Sequence, residues 1–329
     1  MSNLDSDWGD SYQALSADYG SILLADWTNL ELTGSDRHKF LNNLCTNDIQ
    51  QLPAGKGCEA FVTDVKGKIV SHVFVFAGEN SLELLAVPGQ AAQLVEHLDR
   101  YLIREDVGIN DQTEQFHWLL LSGAKCEECI GNVIPECRDE LQQAWSVREC
   151  RVSERNCLIA RVDFLWTTGF LVGVRAEDLS EVLAALGPVV QVAEASPAWT
   201  AIRLESQLPL FNIDFDSSHL PQEVNRDLQA VNFRKGCYLG QETVARIDAL
   251  GHVNKKVVLL QFEGEAVPAV GTVLTGDGKQ IGAVTSSVWS PQFQSPLGLA
   301  CVRRGWNDQG SQLSSEFGMA TVVAPCRPK

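Results

Sequence analysis

After Gly251 the chain changes texture, and no other feature constrains its fold as tightly. VVLLQFEG, GTVLTGDGKQIGAVTSSVW, LGLACVRR and MATVVA are short runs rich in β-branched and apolar residues, and Thr275-Gly-Asp-Gly-Lys279 supplies turn residues between two of them. Strands this short must close on themselves or stack to cover their edges. Residues 251–329 are therefore predicted to form a small antiparallel β-barrel or sandwich packed against a larger α+β body. The length of 329 residues agrees, since it exceeds what one hydrophobic core ordinarily supports.

Residues 1–250 alternate strand and helix signals and are predicted as an α+β region of two interleaved subdomains. SILLADWTNLELT, residues 21–33, reads as strand. Gly34-Ser35-Asp36 turns it into a helix with Phe40, Leu41 and Leu44 on one face and Ser35 or Asp36 as the cap. CEAFVTDV and IVSHVFVF flank a Lys66-Gly67-Lys68 turn and predict a hairpin. Leu94, Val95, Leu98 and Leu102 make residues 91–103 an amphipathic helix, and EDLSEVLAALG is a helix ending on a C-cap glycine.

Composition narrows the function. Forty-two acidic against 26 basic residues give a formal charge of −16, which repels phosphate backbones and argues against direct nucleic-acid binding. The least acidic stretch is 221–260, which holds Arg226, Arg234, Lys235, Arg246, Lys255 and Lys256. MSNLDSDWGDSYQAL lacks a basic and apolar leader, and no uncharged apolar run approaches the roughly 18 residues of a membrane span. The expectation is a cytoplasmic protein with no membrane partner and reduced thiols despite its ten cysteines. Cys126-Glu-Glu-Cys129 is followed by Cys137 and Cys150, which is not zinc-ribbon spacing, so no metal site is expected.

FRKGCYLGQETVAR, residues 233–246, flanks one thiol with two cations and two glycines. Gly236 and Gly240 allow backbone angles closed to other residues, and QETVARIDAL reads as a helix with Glu242 in its first turn. If the helix start and Arg234 or Lys235 face Cys237, its thiolate is favoured and the thiol is reactive. The alternative is a small buried residue in a glycine turn.

Lys235-Gly236-Cys237-Tyr238-Leu239-Gly240-Gln241-Glu242, followed by Val244-Ala245-Arg246, resembles the KGCYxGQExxAR signature of the YgfZ family of folate-binding proteins, relatives of the glycine-cleavage T protein. DWTNLELTG, FLNNLCTNDIQQL, PAWTAIRLESQLP and LPQEVN extend the resemblance over most of the chain. It implies a three-lobed body with tetrahydrofolate or a folate derivative in a central channel. It also implies Trp27 and Trp199 as ligand-contacting indoles, although by residue type alone each reads as core. Glu205 matches the carboxylate set against the pterin edge in T-protein relatives, and its other reading is a surface acid after a strand. Arg203, expected on the same strand face, would pair with Glu205 or meet the folate glutamate tail.

The chain departs from the aminomethyltransferases of that group at one place. Where they carry an essential aspartate, the run here is Gly67-Lys-Ile-Val-Ser71-His72, with no carboxylate. Asp64 reads as a turn residue and His72 as a strand histidine. The resemblance therefore implies a folate-binding accessory protein that supports iron–sulfur enzymes and the modification of some tRNAs, with iron–sulfur tRNA-modifying enzymes as partners. The rivals are a tetrahydrofolate-dependent aminomethyl transferase, a thiol redox or metal protein using Cys126, Cys129 and Cys137, and a plain scaffold.

Overall fold

The computed structural model describes residues 6–326. Residues 1–5 of the N-terminal stretch and 327–329 of the C-terminal one lie outside them. Helix α1 (Ser6–Ser16) leads into β1 (Gly20–Leu24) and β2 (Thr28–Thr33). The single strand expected over 21–33 is thus two, because the chain changes sheet at Ala25-Asp26-Trp27. Helix α2 (Arg37–Asn42), β3 (Lys56–Thr63), β4 (Ile69–Ala77), β5 (Leu82–Ala86), α3 (Ala91–Asp99) and β6 (Gly108–Asp111) complete a five-stranded sheet ordered β3-β4-β5-β2-β6. The chain then returns to the sheet that holds β1. Strands β7 (Phe116–Ser122), β8 (Val147–Val152), β9 (Arg155–Val162), β10 (Gly169–Arg175) and β11 (Val190–Val192) give the order β11-β1-β7-β10-β9-β8, with α4 (Cys126–Val133) and α5 (Leu179–Ala185) between them. One sheet is therefore inserted into the other in sequence.

Helices α6 (Pro197–Glu205), α7 (Asp227–Ala230) and α8 (Gln241–Leu250) link this body to β12 (Lys255–Phe262), β13 (Val273–Gly276), β14 (Lys279–Ser290), β15 (Ser295–Arg303), β16 (Gln312–Ser315) and β17 (Gly318–Val323). These six strands close into an antiparallel barrel, as the short β-rich runs imply. The architecture is α+β and three-lobed.

Each lobe has its own core. Leu41, Val73 and Leu94 fill the space between the five-stranded sheet and its helices. Leu121, Ile130 and Val182 do so for the six-stranded sheet, and Leu260, Leu274 and Val302 fill the barrel. A fourth and larger cluster joins the inner faces of both sheets to α6 and the barrel, through residues such as Phe61, Phe74, Trp118, Ile202 and Leu259. The lobes are thus held by shared apolar burial rather than by linkers.

Two local expectations change. Neither Ser35 nor Asp36 caps α2; both engage Asp106, Ser35 through donation to its Oδ2 and Asp36 by accepting from its backbone N–H. Residues 197–205 are helix, not strand, with the Ser196 hydroxyl accepting from Ala198 N and Pro197 in the first turn. Two residues apart on a helix point to nearly opposite sides, so Arg203 and Glu205 share no face. Arg203 instead donates to Asp214 Oδ2 (2.8 Å) and Ser286 (2.6 Å), tying α6 to the barrel.

The segment around Cys237 works as a clip. Lys235 is buried and its Nζ donates to the carbonyls of Asn42 (2.7 Å), Cys45 (2.9 Å) and Asn47 (2.6 Å), with the cation 5.0 Å from the Tyr238 ring. Leu239 packs against the core of the five-stranded lobe. Gly240 sits at φ 79° against the β3–β4 turn, where a Cβ would stand 2.3 Å from Asp64 O and 2.6 Å from Gly67 Cα. Only glycine fits both the angle and the space. Gly240→Ala is expected to lose about 2 kcal/mol or more of stability in denaturant unfolding. An unchanged midpoint would refute the clip.

Candidate functional site

The β3–β4 hairpin turns its polar residues inward at the junction of the lobes. Phe61 pairs with His72 and Glu59 with Phe74, so all four side chains project from one face. Arg226, just ahead of α7, reaches that face and donates from Nε to Glu59 Oε1 (2.6 Å) and from Nη2 to Oε2. His72 Nε2 donates to Glu59 Oε1 at 2.9 Å. Burial alone would raise the Glu59 carboxyl, but Arg226 and His72 outweigh it and hold it at about 2. The Arg226 guanidinium is raised in turn, Glu59 overcoming the cost of its burial.

Aromatic rings surround this triad. His72 lies between Phe61 (4.9 Å) and Phe74 (5.1 Å), while Phe74 meets Phe164 at 4.8 Å and stacks on Trp145 at 6.2 Å. Ser71, beside His72, is wholly buried with its Oγ unpartnered. The inward face of β4 therefore carries histidine and phenylalanine and no carboxylate.

A cleft of about 660 Å³ opens beside the junction. Its walls include Tyr12 and Ser16 of α1, Arg161, Asp163, Trp166 and Gln292. Behind Tyr12 and Trp166 lies Glu205, fully buried. Tyr12 donates to both of its oxygens (3.0 and 2.9 Å), Trp166 Nε1 to Oε2 (2.9 Å) and Ser290 to Oε1 (2.6 Å). Burial pushes the Glu205 carboxyl up, against these bonds, which favour its charge. Tyr12 and Trp166 thus stand between Glu205 and the cleft.

The two indoles expected to hold a ligand are elsewhere. Trp27 and Trp199 are each 3% exposed and belong to the central apolar cluster. Trp27 Nε1 donates to Glu194 Oε1 at 2.7 Å. Neither lines the cleft, whose wall holds Trp166 as its indole. Arg203 is likewise spent on Asp214, and the expected pairing with Glu205 does not form.

Cys237 and Gly236 are exposed, as are Glu242 and Arg246; Gln241 is half-buried and Tyr238 buried. Of the two cations expected to activate Cys237, Lys235 is committed elsewhere, to the carbonyls of Asn42, Cys45 and Asn47 at and beyond the end of α2, and Arg234 is exposed. None of these motif residues lines the cleft.

Sequence reasoning passed over Tyr12, Glu59, Asp163, Trp166 and Arg226. One signal was available: Glu59 and His72 are the polar residues at inward positions of otherwise apolar strands. Glu59→Gln leaves a bare guanidinium in the junction and is expected to cost about 3–5 kcal/mol at pH 7. Because the Glu59 pKa is depressed, its contribution is present above the ordinary 4.5 and is lost as pH falls toward about 2. Urea unfolding across that window should show a flatter acid limb in the variant; identical limbs would contradict the triad.

Comparison with known proteins bears on the whole chain. The GCVT N-terminal domain family matches residues 4–235, and the glycine cleavage T-protein C-terminal barrel domain family matches 255–327. An aminomethyltransferase of Clostridium botulinum (strain Okra / Type B1) is 25% identical over 88% of this chain and 78% of its own, and one of Bacillus pumilus is 23% identical over 95% and 84%. The crystal structure of the glycine cleavage system aminomethyltransferase T from Bartonella henselae superposes with a TM-score of 0.83 at 19% identity, covering 96% of this chain and 88% of that one. Among the described residues no helix is long and apolar enough to cross a membrane. With residues 4–235 and the barrel both matched, the chain belongs to the glycine cleavage T-protein family.

Proposed function

We propose that the cleft binds a reduced folate and that the protein acts as a folate-binding accessory factor rather than an aminomethyl transferase. The carrying observation is the run of β4 that the sequence resemblance aligns with a catalytic aspartate, where His72 faces the junction and the buried, unpartnered Ser71 points to the opposite side of the strand, so that no carboxylate stands there. A neutral hydroxyl sealed in the core offers no anionic stabilisation to a reacting amine. Binding itself is well served: a volume of about 660 Å³ suits a pterin with its aryl tail, and Tyr12 and Trp166, whose polar edges are held by Glu205, offer flat apolar surface.

The resemblance of residues 235–246 to the YgfZ signature supports the finer reading: service to iron–sulfur enzymes, including those that modify tRNA. In that reading the exposed Cys237 meets the partner, and the rest of the motif holds the loop in place. The surface charge of −16 favours a protein partner over direct contact with RNA. A second reading, aminomethyl transfer to tetrahydrofolate, is favoured by the names of the relatives, and turnover of an aminomethyl donor would establish it.

Titration with tetrahydrofolate should quench tryptophan emission, and Trp166→Phe should remove most of that quench while Trp27→Phe retains it. No quench in the wild type would remove the ligand from the account. Cys237→Ser is expected to keep folate affinity yet fail to restore iron–sulfur enzyme activity in cells lacking the protein; full restoration would leave the thiol without a role.

A further inference from the structure

We infer that Asp163 is the residue that selects and orients the ligand in the cleft, accepting hydrogen bonds from ring N–H or amino groups of a planar heterocycle. This inference rests on the folate reading and deepens it. Asp163 follows β9 and its carboxylate is open to the cleft. It is the one carboxylate among the described lining residues, because Tyr12 and Trp166 screen Glu205.

The nearby cations have other partners. Arg226 gives Nε and Nη2 of its guanidinium to Glu59, and Arg161 pairs with Glu127 at 3.2 Å while lying over the Phe170 ring. Among the described residues Asp163 makes no ion pair; the Trp145 indole supplies a hydrogen bond to it. A carboxylate held against a protein wall with two neutral donors, the Trp145 indole and its own backbone N–H, retains unfilled acceptor sites. A ligand bearing adjacent N–H donors fills them, and a ligand that offers only acceptors is repelled.

The charged groups that act on Asp163 set its pH dependence. Crowding by the surrounding protein raises its carboxyl, the Glu59 charge from β3 raises it further, and Trp145 and Arg226 oppose them. Its charged form, the better acceptor, is therefore lost at a higher pH than for an ordinary aspartate. Ligand affinity should fall as pH drops through that raised value.

The test is tetrahydrofolate binding by calorimetry between pH 3.5 and pH 8, a range that takes in the ordinary aspartate value of 3.8 and the region above it, with wild type, Asp163→Asn and Asp163→Glu. The wild type should bind more weakly as pH falls. Asp163→Asn should bind about tenfold or more weakly at pH 8, with little pH dependence left, and Asp163→Glu should recover part of both. Equal affinity and equal pH profiles in wild type and Asp163→Asn would overturn the role of Asp163 while leaving the folate reading intact. No binding by the wild type at any pH would instead overturn the folate reading, and this inference with it. Should Asp163→Asn fail to fold, a pH-independent wild-type affinity over the same range is enough to overturn the assignment.

Discussion

A carboxylate and a guanidinium separated by 167 residues of chain meet where the lobes join. Glu59 stands on β3 and Arg226 precedes α7, so their bidentate bond fastens the five-stranded sheet to the segment that leads into the barrel. Neither charge reaches solvent, and separating them would leave one bare in an apolar interior. His72 completes the arrangement and brings the rings of Phe61 and Phe74 around it. The bonds described for the triad are to one another, which suits a pillar better than a reagent. What remains for a ligand is the cleft beside it.

The glycine-rich motif is constrained in the same way. Lys235, Leu239 and Gly240 have structural tasks against α2 and the β3–β4 turn, which explains why a cation, an apolar residue and a glycine must stand at those spacings. Relieved of any role in the clip, Cys237 lies exposed on its outer side. The cleft and the thiol are therefore separate features, joined through the hairpin on which both the clip and the triad are built.

Local patterning made much of this legible. The barrel announced itself through short β-rich runs and turn residues, and the β3–β4 hairpin through two apolar strands around a Lys-Gly-Lys turn. Helix α6 was harder: Ala198, Trp199, Ala201, Ile202 and Leu204 are all buried, so no polar face marks its period, and only Ser196-Pro197 signals its start. The break at Ala25-Asp26 reflects a change of sheet that alternation cannot register. Trp27 and Trp199 matched a family pattern, yet pack among side chains contributed by distant segments. Glu59 and Arg226 escaped notice because their partnership is wholly long-range. Membership of the glycine cleavage T-protein family does not depend on these local features, since a fold spread over the whole chain is matched along its length and a site made of a few contacts is not.

A crystal structure determined with tetrahydrofolate tests the central claim most directly. The account requires pterin density in the cleft beside Trp166 and Tyr12, with a ring nitrogen or amino group within hydrogen-bond distance of Asp163. Density at Trp27 and Trp199 instead, or an empty cleft at saturating ligand, would contradict it.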